Sequence, residues 1–265
     1  MGNDALLTET RGNVGLLTIN RPEKKNSLSV DLLLRIHQVM TEWAQRDDIR
    51  AVVITGAGDK AFSSGFDILS IPTDLTPEMQ ELLKTNHPLE LAFNSVKSFP
   101  YPVIAMLNGY ALGAGYNLAI CCDIRIGADD IRIGMPPARL GLVYHAAGIK
   151  QFAEVLGLAR TREIFFSARA YGPDEVKEMG LVDHVYPRAE LADRTFRLAE
   201  EIAANAPLSL KGTKRIINML GEAVAFAEDH LEEAEALINA AFSSEDLKEG
   251  QAAFVEKRKP EFKGR

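Results

Sequence analysis

The chain has 265 residues, 46% hydrophobic and 25% charged, enough to bury a substantial core in one domain with an appendage or in two small domains. A net charge of −7 supplies no basic face to replace phosphate counterions, which argues against DNA and RNA as partners. The most apolar stretch, Tyr110 to Cys122, is interrupted by Asn117 and falls short of the roughly 20 residues a membrane helix needs, so no membrane span is expected.

The start, MGNDALLTET, lacks the basic and apolar regions of a secretory signal, and Gly2 alone is a weak myristoylation signal. Two strands, Ala5 to Thr10 and Val14 to Asn20, are expected around a turn at Arg11-Gly12-Asn13. From Ser29 to Arg46 the period changes: Leu32, Leu33, Ile36, Val39, Met40 and Trp43 recur at helical spacing behind Ser29 as N-cap. A strand at Ala51 to Thr55 ends in Gly56-Ala57-Gly58. A second round follows, with a polar helix around Pro77 to Val96, a strand at Val103 to Leu107, a glycine-rich turn and a helix starting near Gly113. The prolines at 72, 77 and 88 make Ser70 to Pro88 a candidate flap. A third strand pair is expected in Cys122 to Ile126 and Ile131 to Gly134. Strands alternating with helices predict an α/β domain with buried parallel strands.

After about Pro187 the pattern is helical, with candidates at Ala189 to Ala204, Leu208 to Leu220, Glu222 to Phe242 and Glu245 to Lys257. This divides the chain into a core of residues 1–190 and a helical region of 191–265. The latter is too small and amphipathic to bury its apolar face unaided, so it should pack on the core or on another subunit.

Two glycine-bearing loops follow strands and open helices: Ala61 to Ile68 and Asn108 to Asn117. Helix starts leave N–H groups unsatisfied, so two such loops facing one point could hold an anionic oxygen; tight strand-to-helix packing is the other reading. Gly113-Ala114-Gly115 is only a fragment of a dinucleotide fingerprint, because Leu118 stands where its last glycine belongs. The adjacent Cys121 and Cys122 are poorly placed for a disulfide and lack CxxC spacing, which fits a reducing, cytoplasmic setting. His37, His87, His184 and His230 read as structural or surface residues, no metal is expected, and Ser63 and Ser64 lack the GxSxG setting of a hydrolase nucleophile.

Taken together, Asn20-Arg21-Pro22, Asn26-Ser27-Leu28, the two loops, Cys122-Asp123-Ile124 and SEDLKEGQAAFVEKRKPEF from Ser244 resemble the crotonase (enoyl-CoA hydratase/isomerase) superfamily in order and spacing. The resemblance implies a spiral of ββα repeats with an α-helical C-terminal region, assembled as a homotrimer or a hexamer of paired trimers. It implies an acyl-CoA thioester as substrate, with coenzyme A brought in by the substrate and no separate cofactor. The thioester oxygen would accept from the N–H groups of Phe66 and Ala114. Coenzyme A would be bound by Lys24, Lys25, Ala61, Ser63, Asp67 and Ile68, with Phe254 and Lys257 reaching across from a neighbouring subunit; taken singly, the three lysines also read as solvated surface.

The departures bear on the reaction. Where hydratases of the superfamily carry two catalytic glutamates, this chain has Asn117 and Pro137. Proline cannot shuttle a proton and asparagine is a poor base, and losing a positioned acid or base costs about 10²–10⁴ in rate. Tyr144 stands where methylmalonyl-CoA decarboxylases carry a tyrosine, and His145 where dienoyl isomerases carry an aspartate. The chain departs from those decarboxylases too, with Phe66 replacing a histidine and Asn117 a glutamate. Tyr144 also reads as a half-buried aromatic, and His145 as a cap for the next helix. The preferred expectation is decarboxylation of a malonyl-type thioester such as methylmalonyl-CoA. The alternatives are a hydratase or isomerase using His145 as an unusual base, and a non-catalytic acyl-CoA binding protein.

Overall fold

The structure, a computed structural model, describes residues 5–67, 87–222 and 228–264. Residues 70–86 of the expected flap, together with Gly2 and Ile68, lie outside the described residues.

Strands β1 (Leu6–Arg11) and β2 (Val14–Ile19) form the expected hairpin, antiparallel with Leu6 opposite Ile19. Helix α1 (Val30–Ala44) starts at Ser29, whose Oγ accepts from Leu32 N at 3.4 Å. The chain then winds in repeats, each sending one strand to a large sheet and the next to a small one. The pairs are β3 (Ala51–Gly56) with β4 (Ala61–Ser63), β5 (Val103–Leu107) with β6 (Tyr110–Leu112), and β7 (Ile124–Ala128) with β8 (Arg132–Gly134). Helices α2 (Pro88–Lys97), α3 (Ala114–Ile120) and α4 (Ala146–Ser167) follow these pairs. Then come β9 (Ala170–Tyr171), α5 (Pro173–Glu178) and β10 (His184–Tyr186). The six-stranded sheet has the order β1-β2-β3-β5-β7-β10, parallel from β2 onward; the four-stranded sheet runs β4-β6-β8-β9 with β9 antiparallel.

Every residue of β3 and β5 is buried, as expected where helices cover both faces of a parallel sheet. One face places Leu17, Ile19, Val52, Ile54 and Val103 in a cluster with Leu32, Leu33, Ile36 and Met40 of α1. The opposite face places Val14, Leu16, Val53, Ile104 and Ile126 with Leu191, Ala199 and Ala203 of α6 (Arg188–Ala203). Each fully buried aliphatic side chain contributes roughly 1.5–3 kcal/mol, so this two-sided packing holds rigid the strand ends from which the loops leave.

The chain ends in α7 (Pro207–Glu222), α8 (Glu228–Phe242) and α9 (Glu245–Glu256). Helix α7 is tied to the core by Lys214, whose Nζ donates to the Tyr101 carbonyl at 3.0 Å and to Asp123 Oδ2 at 2.7 Å. Its Leu208, Ile216, Ile217, Met219 and Leu220 remain exposed. No helix among the described residues is long and apolar enough to cross a membrane.

Candidate active site

The two glycine loops lie side by side at the ends of β4 and β6. Leu28 N donates to Gly65 O at 2.8 Å and Asp67 N to Leu28 O at 3.1 Å, which turns the N–H of Phe66 away from Leu28. The other loop enters α3 through Gly113 at φ +53, leaving Ala114 as the first helical residue. First-turn N–H groups have no partner inside their own helix. A Cβ on Gly65, where φ is +94, would come within 2.6 Å of Leu112 O and 3.4 Å of Ala114 N; only glycine allows this approach. Among the described residues neither the Phe66 nor the Ala114 N–H has a hydrogen-bond partner. Two unpaired donors on abutting loops are suited to one oxygen that gains negative charge.

Lys24 closes a 3₁₀ turn and Lys25 follows it at φ +51, and both side chains are exposed. The carbonyl of Lys25 accepts from Ser64 N at 2.9 Å, so this turn sits against the first glycine loop. Ala61 and Ser63 are buried in β4, and the Ser63 hydroxyl accepts from Gly65 N at 3.2 Å. Their side chains therefore brace the loop from inside, and Asp67 is partly exposed beside Phe66. Phe254 and Lys257 lie on or just beyond the end of α9, both exposed.

Asn117 is one turn past Ala114 on α3, a rise of about 4.5 Å. It is fully buried. Its Oδ1 accepts from the Tyr144 hydroxyl at 2.9 Å, and its Nδ2 donates to Gln151 Oε1 at 2.7 Å. Cys121 Sγ also donates to Gln151 Oε1, at 3.3 Å. A short buried polar chain thus runs from Tyr144 through Asn117 to Gln151 and Cys121. Burial pushes the Tyr144 phenol well above its ordinary value, so it stays protonated. Pro137 is buried at the start of a 3₁₀ turn, Pro137–Leu140, and offers no titratable group.

His145 is the N-cap of α4, its Nδ1 accepting from Gly148 N at 3.1 Å. The same nitrogen lies 3.7 Å from Glu90 Oε1. It can serve only one partner at a time: a neutral ring caps α4, and a ring protonated on Nδ1 pairs with Glu90. In the capping form the proton resides on Nε2, which is buried without a partner among the described residues. The His145 ring stacks on His87 at 6.1 Å and packs against Tyr144 at 4.5 Å. The approach of His145 lowers the Glu90 carboxyl from its usual range, and burial is the largest effect lowering His87.

Asn117, Tyr144 and His145 are thus brought together, with Ala114 one turn away. Gln151 and Glu90 escaped the sequence reading. Gln151 falls one helical turn after Gly148, and the spacing Tyr144, Gly148, Gln151 was the available signal. Glu90 follows His87 by three residues, but nothing in the sequence links either to His145.

The sequence model of the enoyl-CoA hydratase/isomerase family matches residues 9–265. The chain is 34% identical to the short-chain-enoyl-CoA hydratase of Clostridium acetobutylicum over 98% of both chains. It superposes on the crystal structure of methylmalonyl-CoA decarboxylase complexed with 2S-carboxypropyl-CoA with a TM-score of 0.91, at 30% identity over the whole of both chains. On the enoyl-CoA hydratase of Bacillus anthracis the TM-score is 0.76, at 30% identity over 99% of this chain and 100% of that one. The chain belongs to the enoyl-CoA hydratase/isomerase, or crotonase, family.

Proposed function

We propose that this protein decarboxylates a malonyl-type acyl-CoA. The observation that carries the reading is the uncharged pair Asn117 and Pro137 at the two positions where hydratases of the family hold glutamates. The closer superposition on methylmalonyl-CoA decarboxylase than on a hydratase supports it. The thioester oxygen accepts from Phe66 and Ala114, and the bond to the carboxylate carbon breaks. Its electron pair moves into the thioester as an enolate and carbon dioxide leaves. No carbon-bound proton has to be removed, so a missing base costs little. Tyr144 orients the departing carboxylate, and the enolate carbon takes a proton from water or, where the His145 ring is protonated on both nitrogens, from its Nε2, which leaves a neutral ring. Each N–H of the oxyanion hole is worth about 2.7–4 kcal/mol toward the enolate-like transition state.

The capping geometry of His145 favours a donor over a base: Nδ1 is occupied by Gly148 and the remaining nitrogen carries hydrogen. This weighs against a hydratase or isomerase driven by His145. Lys24, Lys25, Ala61, Ser63, Asp67 and Ile68 are assigned to coenzyme A in this reading, with Phe254 and Lys257 supplied by a neighbouring subunit of a homotrimer or hexamer in the cytoplasm. Incubation with methylmalonyl-CoA, crotonyl-CoA and a 3-enoyl-CoA, with mass detection of products, tests the reading. Loss of carbon dioxide from methylmalonyl-CoA alone is expected. Hydration of crotonyl-CoA without decarboxylation would overturn it, and binding of thioesters without turnover would point to a non-catalytic carrier.

A further inference from the structure

Tyr144 has one hydroxyl proton, and it is given to Asn117 Oδ1 at 2.9 Å. In that arrangement the phenol presents only lone pairs to a ligand, which repel a carboxylate. The direction of the bond is set behind it. Asn117 turns its amino group toward Gln151 Oε1 at 2.7 Å, because that oxygen already accepts from Cys121 at 3.3 Å and faces the pair as an acceptor. Gln151 is 6% exposed and Asn117 fully buried, so water does not compete for these groups.

Both amides are nearly symmetric in shape, with an acceptor at one corner and two donors at the other. If both turn over, Gln151 donates to Asn117, Asn117 donates to the Tyr144 oxygen, and the phenol proton is released toward the ligand. The pairs from Gln151 through Asn117 to Tyr144 are all kept, and the Cys121 sulfur accepts where its thiol had donated. The two directions differ in what Tyr144 offers: an acceptor in one and a donor in the other.

We infer that Gln151 is a positioning residue that sets the direction of the Tyr144–Asn117 hydrogen bond and thereby decides whether the site accepts a substrate carboxylate. This rests on the decarboxylase reading, and it adds a residue that touches neither substrate nor reacting atoms. A carboxylate-bearing thioester favours the turned-over direction by accepting the released proton; a simple acyl-CoA does not.

Gln151→Glu tests it. An ionised glutamate can only accept, so it locks Asn117 in its present direction and keeps the Tyr144 proton from the ligand. The variant should bind propionyl-CoA like the wild type and methylmalonyl-CoA about tenfold or more weakly, the loss of one hydrogen bond to charge. The defect should deepen with rising pH, because the introduced carboxyl can still donate while it is protonated, and a merely structural defect would not follow that profile. Gln151→Met, of similar volume, frees Asn117 to turn and should retain the wild-type preference, which keeps the test open if the glutamate variant does not fold. Equal weakening for both thioesters, an undiminished preference in Gln151→Glu, or a lost preference in Gln151→Met would each overturn the inference. A wild type that fails to decarboxylate methylmalonyl-CoA overturns the function reading and the inference with it. The variants fail only the inference.

Discussion

Gly148 lies so close beneath Tyr144 that a Cβ at this position would come within 2.5 Å of the Tyr144 ring, 2.7 Å of His145 Nε2 and 2.8 Å of Asn117 Oδ1. The three polar groups of the site are therefore gathered around a missing side chain. Helix propensity favours alanine over glycine by about 1 kcal/mol in a helix interior. Contacts this short oppose that gain. Gly148→Ala should cut turnover of a malonyl-type thioester at least tenfold by displacing Tyr144 and Asn117, a shift of about 1.4 kcal/mol. Steady-state kinetics beside thermal unfolding checks it, and unchanged turnover would show that the groups do not act together.

Ala114 is the first residue of α3, the one helical position where proline is favoured. Ala114→Pro should keep the helix while deleting one donor of the hole, with turnover lower by about 10²–10³. Circular dichroism and kinetics on the same sample check both halves. Near-normal turnover in a folded variant would remove Ala114 from the hole.

The periodic elements were legible in the sequence because a single force, burial of apolar residues, fixes them. Helix α1 runs from the expected Ser29 cap, and β5 spans the expected Val103 to Leu107. Helix α4 was expected only as a helix following His145. Its apolar pattern is broken by Gly148 and by Gly157, which sits at φ +72 in a kink. The three-residue strands β4, β6 and β8 carry too few residues for a period, and their pairing in a second sheet depends on contacts distant in sequence. At the site, Tyr144 and His145 stood out as adjacent polar side chains. Two of the partners that govern them come from other turns of the spiral, Asn117 from α3 and Glu90 from α2, while Gln151 lies within α4 itself, behind Asn117.

Helix α7 carries Ile217 and Leu220 at 60% and 71% exposure, on a helix already fastened to the core through Lys214. An apolar face so placed is suited to a partner subunit. Ile217→Glu with Leu220→Glu should shift the protein toward monomers in light scattering while circular dichroism stays unchanged. A wild type that is a stable, active monomer would remove both the assembly and the role of Phe254 and Lys257 across it.

The His87 ring faces His145 across the stack and Glu90 on its own helix, with Tyr144 behind His145. Burial is the largest effect on His87 and lowers its pKa from 6.5; the neighbouring His145 lowers it further and Glu90 partly offsets this. Below 6.5 the unfolded chain therefore binds a proton that the folded chain resists. The stability present above that pH is lost as pH falls toward the folded value. A histidine stabilised in its charged form would show the opposite slope. Glu90, depressed from 4.5, also loses its contribution in acid, but only from about that pH downward. Half-buried Glu249, lowered from 4.5 to about 2 chiefly by Arg258, likewise begins to lose its contribution only near 4.5. The interval between pH 6.5 and 4.5 thus isolates His87 from the carboxylates. Denaturant midpoints should fall across it in the wild type and fall less in His87→Asn, since asparagine retains the N-cap of α2 without titrating. Equal slopes in the two proteins would show that His87 takes up its proton as readily folded as unfolded, and that the stacked pair does not resist charge.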